Sequence, residues 1–377
     1  MRRGTFVRWG VPVAAAAVIG AAVGAGPVIA AVSGEPTLPE RTAAQLLADA
    51  AAATGKSVEP MSGTVQQTAS LGLPALPVEG AASPLSLLSG SHEVKVWYGA
   101  EGKLRVAMPT QLNETNLVVN GEQAWYWESS TNTATKMTIK GGADKQHAMT
   151  TPKPTDLTPQ QAAQNLLANV DEHTTVRVIN TAEVAGRPAY QLVVAPKDEG
   201  SLIQEIRIAL DGEKYVPLQV QVYAKGSAEP AFQVGFTQVT FTPPAPENFT
   251  FTPPAGAKVE EATFGENGFG PNAEKKAEHA KDVAGDAKFV GDGWASVAVV
   301  PFSLSDLPSG QEQGRGQGAN PQAVLDNVLK SATPVSGTWG SGKLIKTKLA
   351  TALLTDDGRL LVGAVTPEEI VKAAGTK

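Results

Sequence analysis

The chain has no cysteine among its 377 residues. Disulfides, thiolate metal sites, cysteine nucleophiles and lipid-modified cysteines are therefore all excluded. Histidine is scarce: His92, His147, His173 and His279 lie far apart with no paired spacing, which argues against a zinc enzyme. Charge is sparse as well, at 18% of residues, and the 37 acidic residues outnumber the 31 basic ones, for a net charge of −6. No basic surface suited to nucleic acid follows from that balance. Hydrophobic residues make up 42%, enough to bury a core, and the length suits two ordered units with connecting segments.

Motifs for catalysis are missing too. No serine sits in a Gly-x-Ser-x-Gly elbow and no Ser-x-x-Lys box occurs. Gly337 to Lys343 has the spacing of a phosphate loop, but Leu344 stands where Ser or Thr would hold magnesium. The following residues, Leu344 to Leu354, read as strands, so a glycine hairpin turn is the plainer reading. Carboxylate pairs such as Asp171-Glu172 and Asp356-Asp357 fall in turns or helix ends, where solvated charges are ordinary. No catalytic residue, metal or cofactor is expected; the composition leans towards a binding protein.

The amino terminus carries Arg2, Arg3 and Arg8 before an uncharged run from Val11 to Val32. A basic start, an apolar middle and small residues at Val28-Ile29-Ala30 before Ala31 describe an export signal. About twenty apolar residues at ~1.5 Å each could also cross a hydrocarbon layer, so residues 1–33 are either a cleaved signal or a retained anchor. In both cases the rest of the chain lies outside the cytoplasm, secreted or held at the outer face of the cytoplasmic membrane by residues 11–32.

Beyond the leader, Thr37 to Gly55 reads as an amphipathic helix. From Met61 the period changes to two. Val94, Val96 and Tyr98 alternate, turn at Ala100 to Gly102, and resume at Leu104, Val106 and Met108. Asn120-Gly121 marks a second hairpin, and Met137 and Ile139 continue the meander. Thr158-Pro159-Gln160-Gln161 opens a middle helix through Val170. Hairpins then turn at Ala185-Gly186 and Asp211-Gly212, and a last ribbon runs from Phe232 to Phe241. Nine or ten strands with two helices predict an α+β domain over residues 37–253, a strongly curved antiparallel sheet with helices against one face. Prolines 243, 244, 246, 253 and 254 end it, and residues 254–289 read as a linker. Residues 290–377 form a small α/β unit, with a helix capped at Asn320-Pro321, strands about Asp357-Gly358, and a final helix behind the capping box Thr366 to Glu369.

Large side chains occupy adjacent positions at Trp97/Tyr98 and Trp125/Tyr126, so both faces of the sheet are apolar and both need a cover. The Leu71 to Gly90 insertion, with Leu73, Leu76, Leu85, Leu87 and Leu88 among Pro, Gly and Ser, is either a movable lid or a leucine-rich loop. The expected apolar cavity is lined by Trp97, Leu104, Val106, Trp125, Trp127, Met137, Leu192, Val194, Ile206, Ile208, Leu218 and Val220, with Leu73, Leu76, Leu85 and Leu88 as the lid. Each methylene buried there would contribute ~0.8 kcal/mol without any catalytic group.

The stretches Val184 to Lys197 and Ile206 to Val222 look like the "gRpaY.l.l.P" and "iwiD..t.lPl" hairpins of the LolA/LolB lipoprotein-carrier superfamily. The order of elements is closer still to the two-domain RseB/MucB periplasmic sensors. The resemblance implies an open eleven-stranded half-barrel closed by helices, with a cavity for acyl chains of lipids or lipoproteins. It also implies a role as envelope lipid carrier or sensor. The alternative is a regulator that binds an anti-sigma factor or another envelope protein, such as a transporter, with no obligatory lipid. A purely adhesive sheet is a third reading.

Overall fold

The computed structural model describes residues 38–55, 59–72, 89–100, 102–110, 112–139, 173–264, 287–302 and 328–376. The middle helix expected at 158–170, the leader and the lid leucines Leu73, Leu76, Leu85 and Leu88 lie outside them, as does most of the helix expected from Asn320.

Helix α1 covers Ala43–Gly55. It starts later than the periodicity suggests because Thr42 and Gln45 form a reciprocal capping box: Gln45 N–H donates to Thr42 Oγ1 (3.2 Å) and Thr42 N–H to Gln45 Oε1 (2.9 Å). Strands follow as β1 (Met61–Ser70), β2 (Ser89–Gly99), β3 (Lys103–Pro109), β4 (Glu114–Asn120), β5 (Gln123–Glu128) and β6 (Thr133–Ile139). The second run is β7 (Thr174–Val184), β8 (Arg187–Pro196), β9 (Ile203–Asp211), β10 (Pro217–Ala224) and β11 (Pro230–Thr240). These two meanders join edge to edge through β1 and β11, which pair antiparallel. Lys258–Phe264, inside the stretch read as linker, is a further strand, β12, which adds to β6 in parallel. The result is one sheet of 12 strands, in order β12, β6, β5, β4, β3, β2, β1, β11, β10, β9, β8, β7.

This sheet is open at β12 and β7, and that overturns the expected α+β architecture closed by helices. Among the described residues the protein is mostly strand, and its α-helical residues are α1, a stretch at 328–330 and a short helix at the carboxy terminus. The physical reason is that covers other than helices serve much of the sheet, as detailed below. Curvature is nonetheless marked: Val184 of β7 shares a hydrophobic cluster with Val239 of β11, four strand positions away. Bulges at Thr64/Val65 and Ile179/Thr181 add local bend.

A second, separate sheet has 6 strands: β13 (Lys288–Val290), β14 (Val297–Pro301), β18 (Arg359–Gly363), β17 (Thr351–Thr355), β16 (Gly340–Lys346) and β15 (Thr333–Gly337), in that spatial order. The glycine segment with phosphate-loop spacing is the β15–β16 hairpin turn, with Gly340 at φ 117°, so no helix N-terminus faces it. Helix α2 (Pro367–Ala374) is capped by Thr366, whose Oγ1 accepts from Glu369 N–H, as its capping box predicts. The helix lays Ile370 and Ala373 on Val297, Leu344, Leu353 and Leu361, giving this unit its own core.

Leu46 on α1 and Leu353 on β17 are both fully buried. Leu46→Ala and Leu353→Ala are each expected to lower unfolding free energy by about 2–5 kcal/mol in urea titrations, through separate cores. An effect under about 1 kcal/mol at either site would contradict this packing.

Candidate functional site

Strand register assigns every side chain to one of two faces. The inner face is the one on which α1 and the second unit pack. It carries Val94, Val96 and Tyr98 on β2, paired across to Leu104, Val106 and Met108 on β3, then Leu117 and Val119 on β4, Ala124 and Tyr126 on β5, and Met137 on β6. On the other side of β1 the same face continues through Val234, Val220, Ile208, Leu192 and Val178. Leu104, Val106, Met137, Leu192, Val194, Ile206, Ile208 and Val220 of the expected cavity lining therefore share one face.

Trp97, Trp125 and Trp127 do not. Their registers with Arg105, Val118 and Asn116 put them on the outer face. There the proline-rich segment that ends the first sheet folds back as a strap. A single 3-10 turn at Pro246–Phe249 buries Phe249, whose ring lies against Gly99, and Phe251 packs on Trp125 and Trp127 at ring-centroid distances of 5.6 and 6.1 Å. Arg105 completes the layer, lying 5.3 Å from the Trp97 ring centre and donating to Asn116 Oδ1. The tryptophans thus belong to a second small core. Leu218, at a bulge of β10, packs with Val184, Ala189 and Ala209. Sequence reading detected that two faces needed covers; it did not find the strap, whose signal was Phe249 and Phe251 among prolines.

Different regions of the inner face have different covers. At β7 to β9, α1 places Leu46 on Tyr190 and Leu210. The Tyr190 hydroxyl donates to Pro39 O (2.9 Å) and its ring stacks on Tyr215 at 6.3 Å. From β9 to β1, the cover comes from the second unit: Trp294, Leu349 and Ala364 join Val65, Ile203, Ile206, Val220, Val222 and Val234 in one cluster. Over β2 to β4, Val96, Tyr98, Leu104, Val106, Met108, Leu117 and Val119 are only partly buried. This apolar stretch ends at β5, β6 and β12 in a polar hollow of about 200 Å³, lined by Tyr126, Glu128, Thr131, Thr133, Thr135, Lys258 and Glu260. Burial there pushes the Tyr126 phenol up, and the Glu128 charge adds to the rise.

Charge on the sheet is used structurally. Glu205 is buried and accepts from Arg177 (2.6 Å) and Arg207 (2.7 Å), while Arg207 lies 4.3 Å from the Tyr223 ring centre. Asp211, fully buried, accepts from Arg187 Nε and from Arg187 Nη2 at 3.1 Å. Burial alone would raise the Asp211 carboxyl, but hydrogen bonds from Arg187 and from the backbone of Lys214 and Glu213 outweigh it and hold the group below its usual value. The "gRpaY" arginine and the hairpin aspartate thus meet as an ion pair about a buried carboxylate. Among the described residues no cluster of three metal-ligating side chains occurs, and no helix is long and apolar enough to cross a membrane.

Residues 81–260 match the family described as "Predicted periplasmic protein (DUF2092)". The extracytoplasmic location expected from the leader agrees with that description. Among solved structures, the chain is similar to the MucA/MucB complex of Pseudomonas aeruginosa, at 15% identity, covering 88% of this chain and 96% of that one, with a TM-score of 0.38. It is also similar to an uncharacterized conserved protein from Thermus thermophilus (13% identity, 58% and 98% covered, TM-score 0.31). A third is a LolA superfamily protein from Nitrosomonas europaea (11% identity, 56% and 99% covered, TM-score 0.21). The hairpin motifs resemble the LolA/LolB superfamily, and the order of elements resembles the two-domain RseB/MucB sensors. A search of curated proteins returned no match.

The depressed Asp211 carboxyl contributes stability that is present above the ordinary aspartate value and is lost as pH falls through its lower folded value. Arg187→Ala, which strands the buried carboxylate, is expected to cost about 3–5 kcal/mol at neutral pH, with a penalty that shrinks as pH falls from the ordinary aspartate value towards the lowered folded value of Asp211. Urea unfolding of both proteins across that range checks it; a penalty that does not change with pH would contradict the pair's role.

Proposed function

We propose that this is an exported, non-enzymatic protein that holds acyl chains of lipids or lipoproteins on the inner face of its large sheet, as an envelope lipid carrier or sensor. The observation that carries the reading is the continuous inner-face run over β2, β3 and β4, where Val96, Tyr98, Leu104, Val106, Met108, Leu117 and Val119 stand side by side and only partly buried. A soluble sheet without a ligand would alternate to polar residues there. The polar hollow next to it would suit the head of an amphiphile whose tail lies over β2 to β4. Glu128 and Glu260 against Lys258 give that hollow a net negative charge, which favours hydroxylated or cationic heads over phosphate. Residues 11–32 supply export and, if retained, an anchor that keeps the site close to the membrane.

The reading is tested with a dansyl-labelled undecanoic acid as probe and native mass spectrometry of protein from its own host. Co-purified lipid and saturable probe binding are expected. Val106→Asp and Leu117→Asp should each weaken the probe at least tenfold, because a carboxylate would have to be desolvated beside the chain. The outer-face variant Lys95→Asp should leave it unchanged. Absence of lipid together with absence of probe binding would refute the proposal.

A second reading is a protein contact, with an anti-sigma factor segment or another envelope protein as partner. It is favoured by the face of the second sheet opposite α2, where Phe289, Ala298 and Val362 stand in register and Phe289 and Val362 are 48% and 40% exposed. Val362→Asp is expected to abolish association with such a partner while leaving probe binding intact; loss of probe binding as well would count against a separate surface.

A further inference from the structure

The cover over β9, β10, β11 and β1 is the protein's own second unit, and its attachment is unlike that of a structural layer. Trp294 sits on a single 3-10 turn, Gly293–Ala295, and is 7% exposed. Leu349 stands at the tip of the turn between β16 and β17, where Thr347 Oγ1 accepts from Leu349 and Ala350 N–H. Ala364 follows β18. All three join the apolar cluster of the large sheet, not the second unit's core. That core is built separately, from Val297, Leu344, Leu353, Leu361 and α2. The second unit can therefore leave the inner face without opening its own interior.

The seam around this apolar contact is polar. Leu202 N–H and Ser201 Oγ donate to Ala364 O (2.8 and 3.2 Å), Thr366 N–H to Gly200 O (2.9 Å), and Lys348 N–H to Leu71 O (2.8 Å). Trp294 N–H donates to Asp198 Oδ2 (3.2 Å), and its indole N–H to Thr174 Oγ1 (2.9 Å). Water can replace the peripheral bonds, whereas only another apolar group can replace Trp294 and Leu349 over Val65, Ile206, Val220 and Val234. The neighbouring strands on the same face present the partly buried run of β2 to β4 described above.

We infer that Trp294 and Leu349 are an intramolecular occupant of an apolar binding surface, and that a long aliphatic chain entering from β2 competes with the second unit for it. The inference rests on the acyl-chain reading of the inner face and adds a consequence: occupancy by a long chain releases the second unit, so ligand binding becomes a change in domain arrangement. Linkage makes the effect reciprocal, since whatever holds the second unit down weakens the chain's affinity by the same factor.

The absence of native cysteine makes a clean lock available. Ser201 and Val365 face each other as an isolated antiparallel bridge across the seam, a spacing that a disulfide can span. In the full chain carrying Ser201→Cys and Val365→Cys, the oxidised form is expected to bind the dansyl-labelled undecanoic acid at least tenfold more weakly than the reduced form. Leu349→Ala, in a chain without the lock, is expected to bind it about threefold or more tightly than the natural sequence, because the occupant is weakened while the seam bonds stay. Probe binding that ignores the oxidation state, or a Leu349→Ala variant with unchanged or reduced affinity, would overturn the competition while leaving the acyl-chain reading standing. Failure of every form to bind the probe would overturn both.

Discussion

A sheet that is apolar on both faces has to be covered twice, and much of this molecule follows from how that is done. Alternation along β2 to β6 sends Trp97, Trp125 and Trp127 one way and Leu104, Val106, Leu117 and Met137 the other. The first set is closed by the chain itself, through Phe249 and Phe251 on a proline-rich strap that needs no helix to stay extended. The second set is divided among α1, the second unit, and a stretch over β2 to β4 that stays only partly buried. Function is read from that unequal division.

The strands and turns were legible in the sequence wherever one local rule acted alone. Asn120-Gly121, Ala185-Gly186 and Asp211-Gly212 each turn where read, with Gly121 and Gly186 at positive φ. The box at Thr366 opens α2 as written. What could not be read depended on distant partners. Lys258–Phe264 carries three charges in seven residues and resembles a linker; it becomes β12 because β6 offers a free edge. The strap's aromatics are too few for periodicity to act on. Helices against one face were read from the pattern of elements and their closing of the half-barrel from the resemblance; the described structure supplies the outer-face cover from irregular chain instead.

Of the expected cavity residues, Leu104, Val106, Met137, Leu192, Val194, Ile206, Ile208 and Val220 share a face because alternation fixes which neighbours do, while a bulge of β10 sends Leu218 to the other cluster. The tryptophans were grouped with them because size alone drew attention, and register separates the two sets. Buried charge shows the same contrast between pattern and context. Arg187 and Asp211 stand in hairpin motifs that a sequence reading marks as structural, and in the fold they meet as an ion pair about a buried carboxylate that fixes the β8–β9 corner, far from the partly covered apolar stretch.

The central claim is that the inner face over β2 to β4 receives an apolar chain. Methyl NMR with a spin-labelled stearate tests it most directly. The account predicts that methyl signals of Leu104, Val106, Leu117 and Met137 broaden as the label is added, while those of Leu353 and Leu361 in the second unit's own core stay sharp. Broadening that spares the first group, or that falls equally on both, would contradict it.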